Sequence, residues 1–354
     1  MSRFFSEKYS SLTPYVPGEQ PKDMRYVKLN TNESPFLPSP RAVQRASEAA
    51  KHLMLYSDPE CTELVRIATE RFDIEADEIL FTNGSDEALN FAFMAFCDEK
   101  HPAVFPDISY GFYPVFAGLN AVPFQQIPLR DDFTICVDDY LGLNCTIFIA
   151  NPNAPTGLAL RPQDIERILV SNPNGVVVID EAYVDFGAES VLPLIHEFPN
   201  LLVVQTFSKS RSMAGARLGF AVGNKALIRD LKTIQYSTNP YNVNSMTMAA
   251  GIGALEDEEY FCDNCRAVIE NRQWTKDSLE RLDFYVLNSV SNFLFASHKT
   301  LPGGELYQKL KQKGVLVRHF DKPRLRDYIR ITIGSKDQMG FFLNKIREIL
   351  EETQ

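Results

Sequence analysis

Chemistry-bearing residues gather at the ends of apolar runs. GVVVID leads straight into EAYVDF, placing Asp180 and Tyr183 just beyond a run that reads as a buried strand. LLVVQTFSKS does the same for Ser208 and Lys209. A lysine after an almost wholly apolar strand sits at that strand's carboxyl edge, partly out of water. Desolvation lowers an amine's pKa and makes it a nucleophile for carbonyl carbon. Upstream, TNGSDEALNFAF sets Ser85 and Asp86 at a helix start, where unpaired backbone N–H groups and the helix dipole suit an anion such as phosphate. NPNAPTG at 151–157 makes a tight turn after TIFIA, and Arg217 opens another apolar run. Singly, each feature has a plain structural reading: a surface lysine, an ordinary helix cap. Together they describe a reactive amine beside an anion cradle.

Counting removes the commoner alternatives. None of the 18 glycines is followed by lysine, so no Walker A loop exists, and neither GxGxxG nor HExxH occurs. The five histidines fall in no triad neighbourhood. Six cysteines lie at 61, 97, 136, 145, 262 and 265; Cys262 and Cys265 form a CxxC, but inside a helical pattern, so reduced thiols are expected and no metal.

The elements that must position these residues follow from periodicity. Expected strands are Ile79–Thr82, Ala103–Phe105, Thr146–Ala150, Val176–Ile179, Leu201–Thr206 and Leu218–Val222, with helices such as Asp86–Cys97 and Gln163–Val170 between them. Continuous apolar strands alternating with helices signify a mainly parallel sheet covered on both faces, an α/β architecture whose ligands collect outside the carboxyl ends of the strands. One or two helices are expected over Ser245–Leu282. Short strands follow (Tyr285–Leu287, Asn292–Ala296, Val315–Arg318, Tyr328–Ile333), with helices near 304–313 and 336–351: a smaller α+β unit. The expected organisation is a wrapping segment over 1–40, a large domain over 41–250, a linking helix over 251–283 and a small domain over 284–354 that includes part of 1–40.

The chain has 354 residues, 45% hydrophobic, enough to bury a large core without disulfides. Acidic residues outnumber basic ones 46 to 36, a net charge of −10, which argues against nucleic acid as a partner. No apolar run approaches the roughly 20 residues of a membrane span. The N-terminus lacks a secretory pattern, so a cytoplasmic location is expected.

The set NPNAPTG, DEAY, SKS and MAGARLG, in this order and spacing, resembles the fold-type I aminotransferases that use pyridoxal phosphate. LTPYVPG, LNTNESPFLPSP, YSDPE and YIRITIGS make the chain similar to the histidinol-phosphate aminotransferases among them. The resemblance implies that Lys209 holds the cofactor as an imine, that Asp180 pairs with the pyridine nitrogen, and that Tyr183 bonds the phenolic oxygen. It assigns the phosphate to Ser85, Asp86, Ser208 and Arg217, the ring stack to Tyr110, and a reach into the neighbouring subunit of a homodimer to Tyr56. Arg330 and Arg318 would take the anionic ends of the substrate, with Tyr15 and Asn32 closing over it. The implied partners are a phosphate-ester amine and a 2-oxo acid: histidinol phosphate with 2-oxoglutarate. One position departs from the pattern. The turn usually reads NPNNPTG, and here the second central Asn is Ala154, so the expectation adopted is that Asn153 takes over through a shifted turn, the alternative being that Tyr183 acts alone. Cofactor residues do not separate a transaminase from a threonine-phosphate decarboxylase or an aromatic aminotransferase. A non-catalytic relative and a nucleotide-binding Rossmann enzyme stand further off.

Overall fold

The computed structural model describes residues 2–10 and 12–352. A two-residue strand, β1 (Val27–Lys28), precedes a seven-stranded sheet made of β2 (Ile79–Thr82), β3 (Ala103–Pro106), β4 (Phe124–Ile127), β5 (Thr146–Ala150), β6 (Val177–Asp180), β7 (Leu201–Thr206) and β8 (Gly219–Gly223). Its order is β2-β8-β7-β6-β5-β3-β4, and β8 runs antiparallel to both neighbours while the other pairs are parallel. Alternate residues of each central strand enter different cores: Ile147, Ile149, Val177 and Ile179 on one face, Phe148, Ala150 and Val178 on the other. Burial on both faces is why these strands read as unbroken apolar runs.

The edge strand β4 was not expected. Its sequence, FQQI, is mostly exposed, so it carries no apolar signal and is held by pairing with β3.

The remaining strands are β9 (Phe284–Val286), β10 (Phe293–His298), β11 (Val315–Leu316), β12 (Arg318–His319) and β13 (Tyr328–Thr332). Four form a second sheet in the order β12-β13-β10-β9, antiparallel throughout. The single strand expected over Val315–Arg318 is two: β11 pairs in parallel with β1, whereas β12 pairs with β13. The stretch expected as one or two helices is two, Ser245–Glu256 and Glu258–Glu280, interrupted at Asp257. Among the described residues no helix is long and apolar enough to cross a membrane.

Register brings the chemistry to one edge. Ala150 pairs with Asp180, and Asp180 with Val204, so β5, β6 and β7 end side by side. Thr82 and Thr206 both pair with Gly219, which sets the end of β2 and the start of the helix Ser85–Phe96 at that same edge.

Candidate active site

The start of the helix Ser85–Phe96 is open. Its cap position is Gly84, no side chain among the described residues caps it, and with the Glu87 N–H turned to the Gly84 carbonyl the Ser85 and Asp86 N–H groups are left available to an anion. Gly84 has φ +80, and a Cβ there would lie 2.4 Å from Arg217 Nη2. A Cβ on Gly219 would lie 2.3 Å from the Ser85 nitrogen. Glycine at both positions lets backbone and guanidinium close on one spot. Arg217, itself left-handed at φ +57, pairs with Asp86 over 2.9 Å, and Tyr110 donates its hydroxyl to the other Asp86 oxygen at 2.6 Å. Thr206 donates to the Ser208 hydroxyl at 3.0 Å.

Ser85, Asp86, Tyr110, Ser208 and Arg217 line an inner chamber of about 80 Å³ together with Ala150, Ala154, Asp180, Ala182, Tyr183, Thr206 and Lys209. It shares Tyr110, Ala154, Tyr183 and Lys209 with a cavity of about 820 Å³ that also receives Tyr15, Asn32, Arg318 and Arg330. Burial draws the Lys209 amine down to about 8, with the Arg330 charge adding to it, so about a quarter is neutral near pH 7.5. Burial pushes the Asp180 carboxyl up to about 6, against hydrogen bonds from Ala182 N–H (3.1 Å) and the Tyr113 hydroxyl (3.2 Å). Lys209 Nζ lies 5.9 Å from the Tyr183 ring centre, and the ring is set edge-on to Phe293.

The outer cavity is walled by the segment before residue 40, by residues between 107 and 124, and by the chain from β12 to β13. Tyr15 stacks on Phe112 with centres 4.2 Å apart. Arg318 donates to the carbonyls of Val16 and Pro17, at 3.1 and 3.3 Å. Arg330 donates from Nη2 to the Asn30 carbonyl at 3.1 Å, while its Nε has no hydrogen-bond partner among the described residues. Asn32 donates to the Tyr183 hydroxyl at 3.0 Å.

Two expected residues lie elsewhere. Asn153 is turned out of the inner chamber. Its amide nitrogen donates to Ile108 (3.0 Å) and Thr156 (3.2 Å), and its oxygen accepts from Ser109 (2.8 Å). The shifted turn expected at 151–157 therefore does not occur: Ala154 faces the chamber and Asn153 serves the turn itself. Tyr56 is 84% exposed, stacked on Tyr241 outside both cavities. The sequence reading missed Tyr113. It stands three residues after Tyr110 in SYGFY, across a turn that its own N–H closes on the Tyr110 carbonyl at 3.2 Å.

The profile described as Aminotransferase class I and II matches residues 25–346. The chain belongs to this family. Among its relatives, the histidinol-phosphate aminotransferase of Brachyspira hyodysenteriae is 49% identical over 353 residues, which is 99% of this chain and 100% of that one. The corresponding protein of Aromatoleum aromaticum is 48% identical over 355 residues, with the same coverage. The solved histidinol-phosphate aminotransferase of Sinorhizobium meliloti, in complex with pyridoxal-5'-phosphate, superposes with a TM-score of 0.90 at 21% identity, covering 100% of this chain and 99% of that one. At that identity the likeness speaks for the aminotransferase fold.

Proposed function

We propose that this aminotransferase transfers the amino group of histidinol phosphate to 2-oxoglutarate, giving imidazole-acetol phosphate and glutamate, with pyridoxal phosphate as cofactor. The observation that carries the reading is a buried Lys209 amine, held near 8, in the same chamber as an uncapped helix start and a buried carboxylate. Full-length identity of 44–49% to histidinol-phosphate aminotransferases supports the substrate.

The chamber suits this cofactor. The N–H groups of Ser85 and Asp86, the Ser208 hydroxyl and the Arg217 guanidinium form a donor set for a phosphate. Asp180, disfavoured as a lone buried anion, fits a protonated ring nitrogen that would restore its charge. Pyridoxal phosphate bound there supplies an electrophilic aldehyde carbon and a ring that accepts the electron pair left when the substrate's Cα–H bond breaks. The protein does the rest. Lys209 would take the proton from Cα and deliver it to the cofactor's former aldehyde carbon, across the nitrogen being transferred, a task suited to an amine with a pKa near working pH. Tyr183 donates its hydroxyl proton to the phenolic oxygen, and Tyr110 covers the ring. Arg330 and Arg318 hold the doubly charged phosphate ester and, in the return half, a dicarboxylate. Tyr15 and Asn32 close the cavity from the N-terminal side.

A homodimer belongs to this reading. Leu53, Met54, Leu55 and Tyr56 are all exposed, an apolar run continued by Tyr241, as expected of a face that a second copy covers while Tyr56 reaches its phosphate. The reading also includes the cytoplasm, where six unpaired cysteines stay reduced. A panel of half-reactions tests the proposal. Histidinol phosphate should convert the bound cofactor's absorbance to that of its aminated form, and 2-oxoglutarate should restore it. Release of an amine and carbon dioxide from O-phosphothreonine, with histidinol phosphate inert, would replace the transaminase by the decarboxylase.

A further inference from the structure

The turn at 151–157 sends no amide toward Tyr183, which lines both cavities, and another segment supplies one from the outer-cavity side. Ala154 offers only a methyl group, and the Asn153 amide is spent on Ile108, Thr156 and Ser109. Yet the Tyr183 hydroxyl has an amide partner, Asn32, whose Nδ2 donates to it from a segment 151 residues upstream.

The orientation of that amide is the one that gives the buried Thr332 hydroxyl proton an acceptor. The Asn32 N–H donates to Thr332 Oγ1 at 2.9 Å, and the Thr332 hydroxyl turns its own proton to Asn32 Oδ1 at 3.1 Å. An oxygen that already accepts from Thr332 leaves the NH₂ group for Tyr183. The Asn32 carbonyl accepts from Asn292 at 3.0 Å, and the backbone sits at φ +56, a region asparagine adopts more readily than most residues. Only 1% of Asn32 is exposed, so water does not compete for these bonds.

A hydroxyl that accepts from an amide keeps its proton for a different acceptor, and donates it more strongly. We propose that Asn32 is the positioning residue of Tyr183, occupying the hydroxyl's accepting side so that its proton is aimed at the cofactor's phenolic oxygen, the work that the 151–157 turn leaves undone at Ala154. The inference rests on the cofactor reading above. It also joins Tyr183 to β13, because Thr332 stands two residues beyond Arg330 and on the same face of that strand.

Asn32→Gly keeps the left-handed backbone and its N–H bond while deleting the amide. Asn32→Asp keeps an oxygen for Thr332 but presents a carboxylate that takes the Tyr183 proton for itself. The readout is the pH midpoint of the bound cofactor's absorbance. Donation to the phenolic oxygen spreads its charge and lets the adjacent nitrogen lose its proton at lower pH, so weaker donation moves the midpoint up. The expected rise is about half to one pH unit for Asn32→Gly, more for Asn32→Asp, and Ala154→Asn in the Asn32→Gly background should bring it back down. Melting of the cofactor-free variants registers any folding defect separately, and either variant that folds suffices. Midpoints equal to that of the unaltered protein, or a shift that Ala154→Asn fails to reverse, would overturn the proposal. An unaltered protein that binds no cofactor would instead contradict the proposed function.

Discussion

The Tyr113 hydroxyl donates to Asp180 Oδ2 over 3.2 Å, so the carboxylate that ends β6 enters the chamber held at Oδ2 by Tyr113 and at Oδ1 by the Ala182 N–H. Tyr113 is itself completely buried. Its bond favours the charged carboxylate against a burial that opposes it. Tyr113→Phe should therefore weaken cofactor affinity about fivefold, the worth of one hydrogen bond near 1 kcal/mol. Equilibrium dialysis with pyridoxal phosphate checks it, and an unchanged affinity would remove Tyr113 from the site.

Asp180 carries a stability prediction of unusual sign. Its pKa rises on folding from 3.8 to about 6, so the cofactor-free fold holds a disfavoured charge above pH 6, and the penalty fades as pH falls toward 3.8. Asp180→Asn should raise the melting temperature of the cofactor-free protein at pH 7.5 by a few degrees, for about 1–3 kcal/mol. It should also abolish transamination. Calorimetry reads the first effect and the half-reaction the second; a lower melting temperature would contradict the burial argument.

Lys209 gives a kinetic counterpart. Its pKa falls on folding from 10.5 to about 8, so the neutral nucleophile gains population as pH rises through 8. The rate of cofactor capture by the cofactor-free protein should climb through that pH and level above it. The same shift costs stability fully below pH 8, and the cost is relieved between 8 and 10.5. Arg330→Gln removes the second contribution to the lowering and should move the midpoint of the capture profile upward. Stopped-flow absorbance across pH 6.5–9.5, a range spanning about 1.5 pH units on either side of the midpoint, decides it, and a flat profile would deny the lysine its role.

The same substitution bears on substrate. Losing a charged hydrogen bond to the phosphate ester should cost Arg330→Gln about 10–100-fold in kcat/KM for histidinol phosphate. Arg318→Ala, which frees the carbonyls of Val16 and Pro17 as well, should raise KM with less effect on kcat. Equal, small effects of both changes would place the anion elsewhere.

Much of this was legible in the sequence because double-faced burial leaves an unmistakable trace. Thr146–Ala150 and Leu201–Thr206 were bounded to the residue from their apolar runs alone. The polar edge strand β4 left no such trace, and Val315–Arg318 read as one strand because its hydropathy does not record that β11 and β12 join different sheets. In the site, Lys209, Asp180 and Tyr183 were marked by their places after strands. The 151–157 turn was misjudged for a different reason: which of two adjacent side chains faces a chamber depends on backbone path, and Asn153 looks the better ligand until its bonds to Ile108 and Ser109 are seen. The Asn32–Tyr183 bond spans 151 residues and depends on an amide orientation set by Thr332, which no local pattern encodes.

The central claim is that the amine at position 209 holds the cofactor. Borohydride reduction of the protein loaded with pyridoxal phosphate, followed by peptide mass mapping, tests it directly. The account predicts a single stable adduct on the peptide containing Lys209, absent from Lys209→Arg. An adduct on another lysine, or none at all, would contradict it.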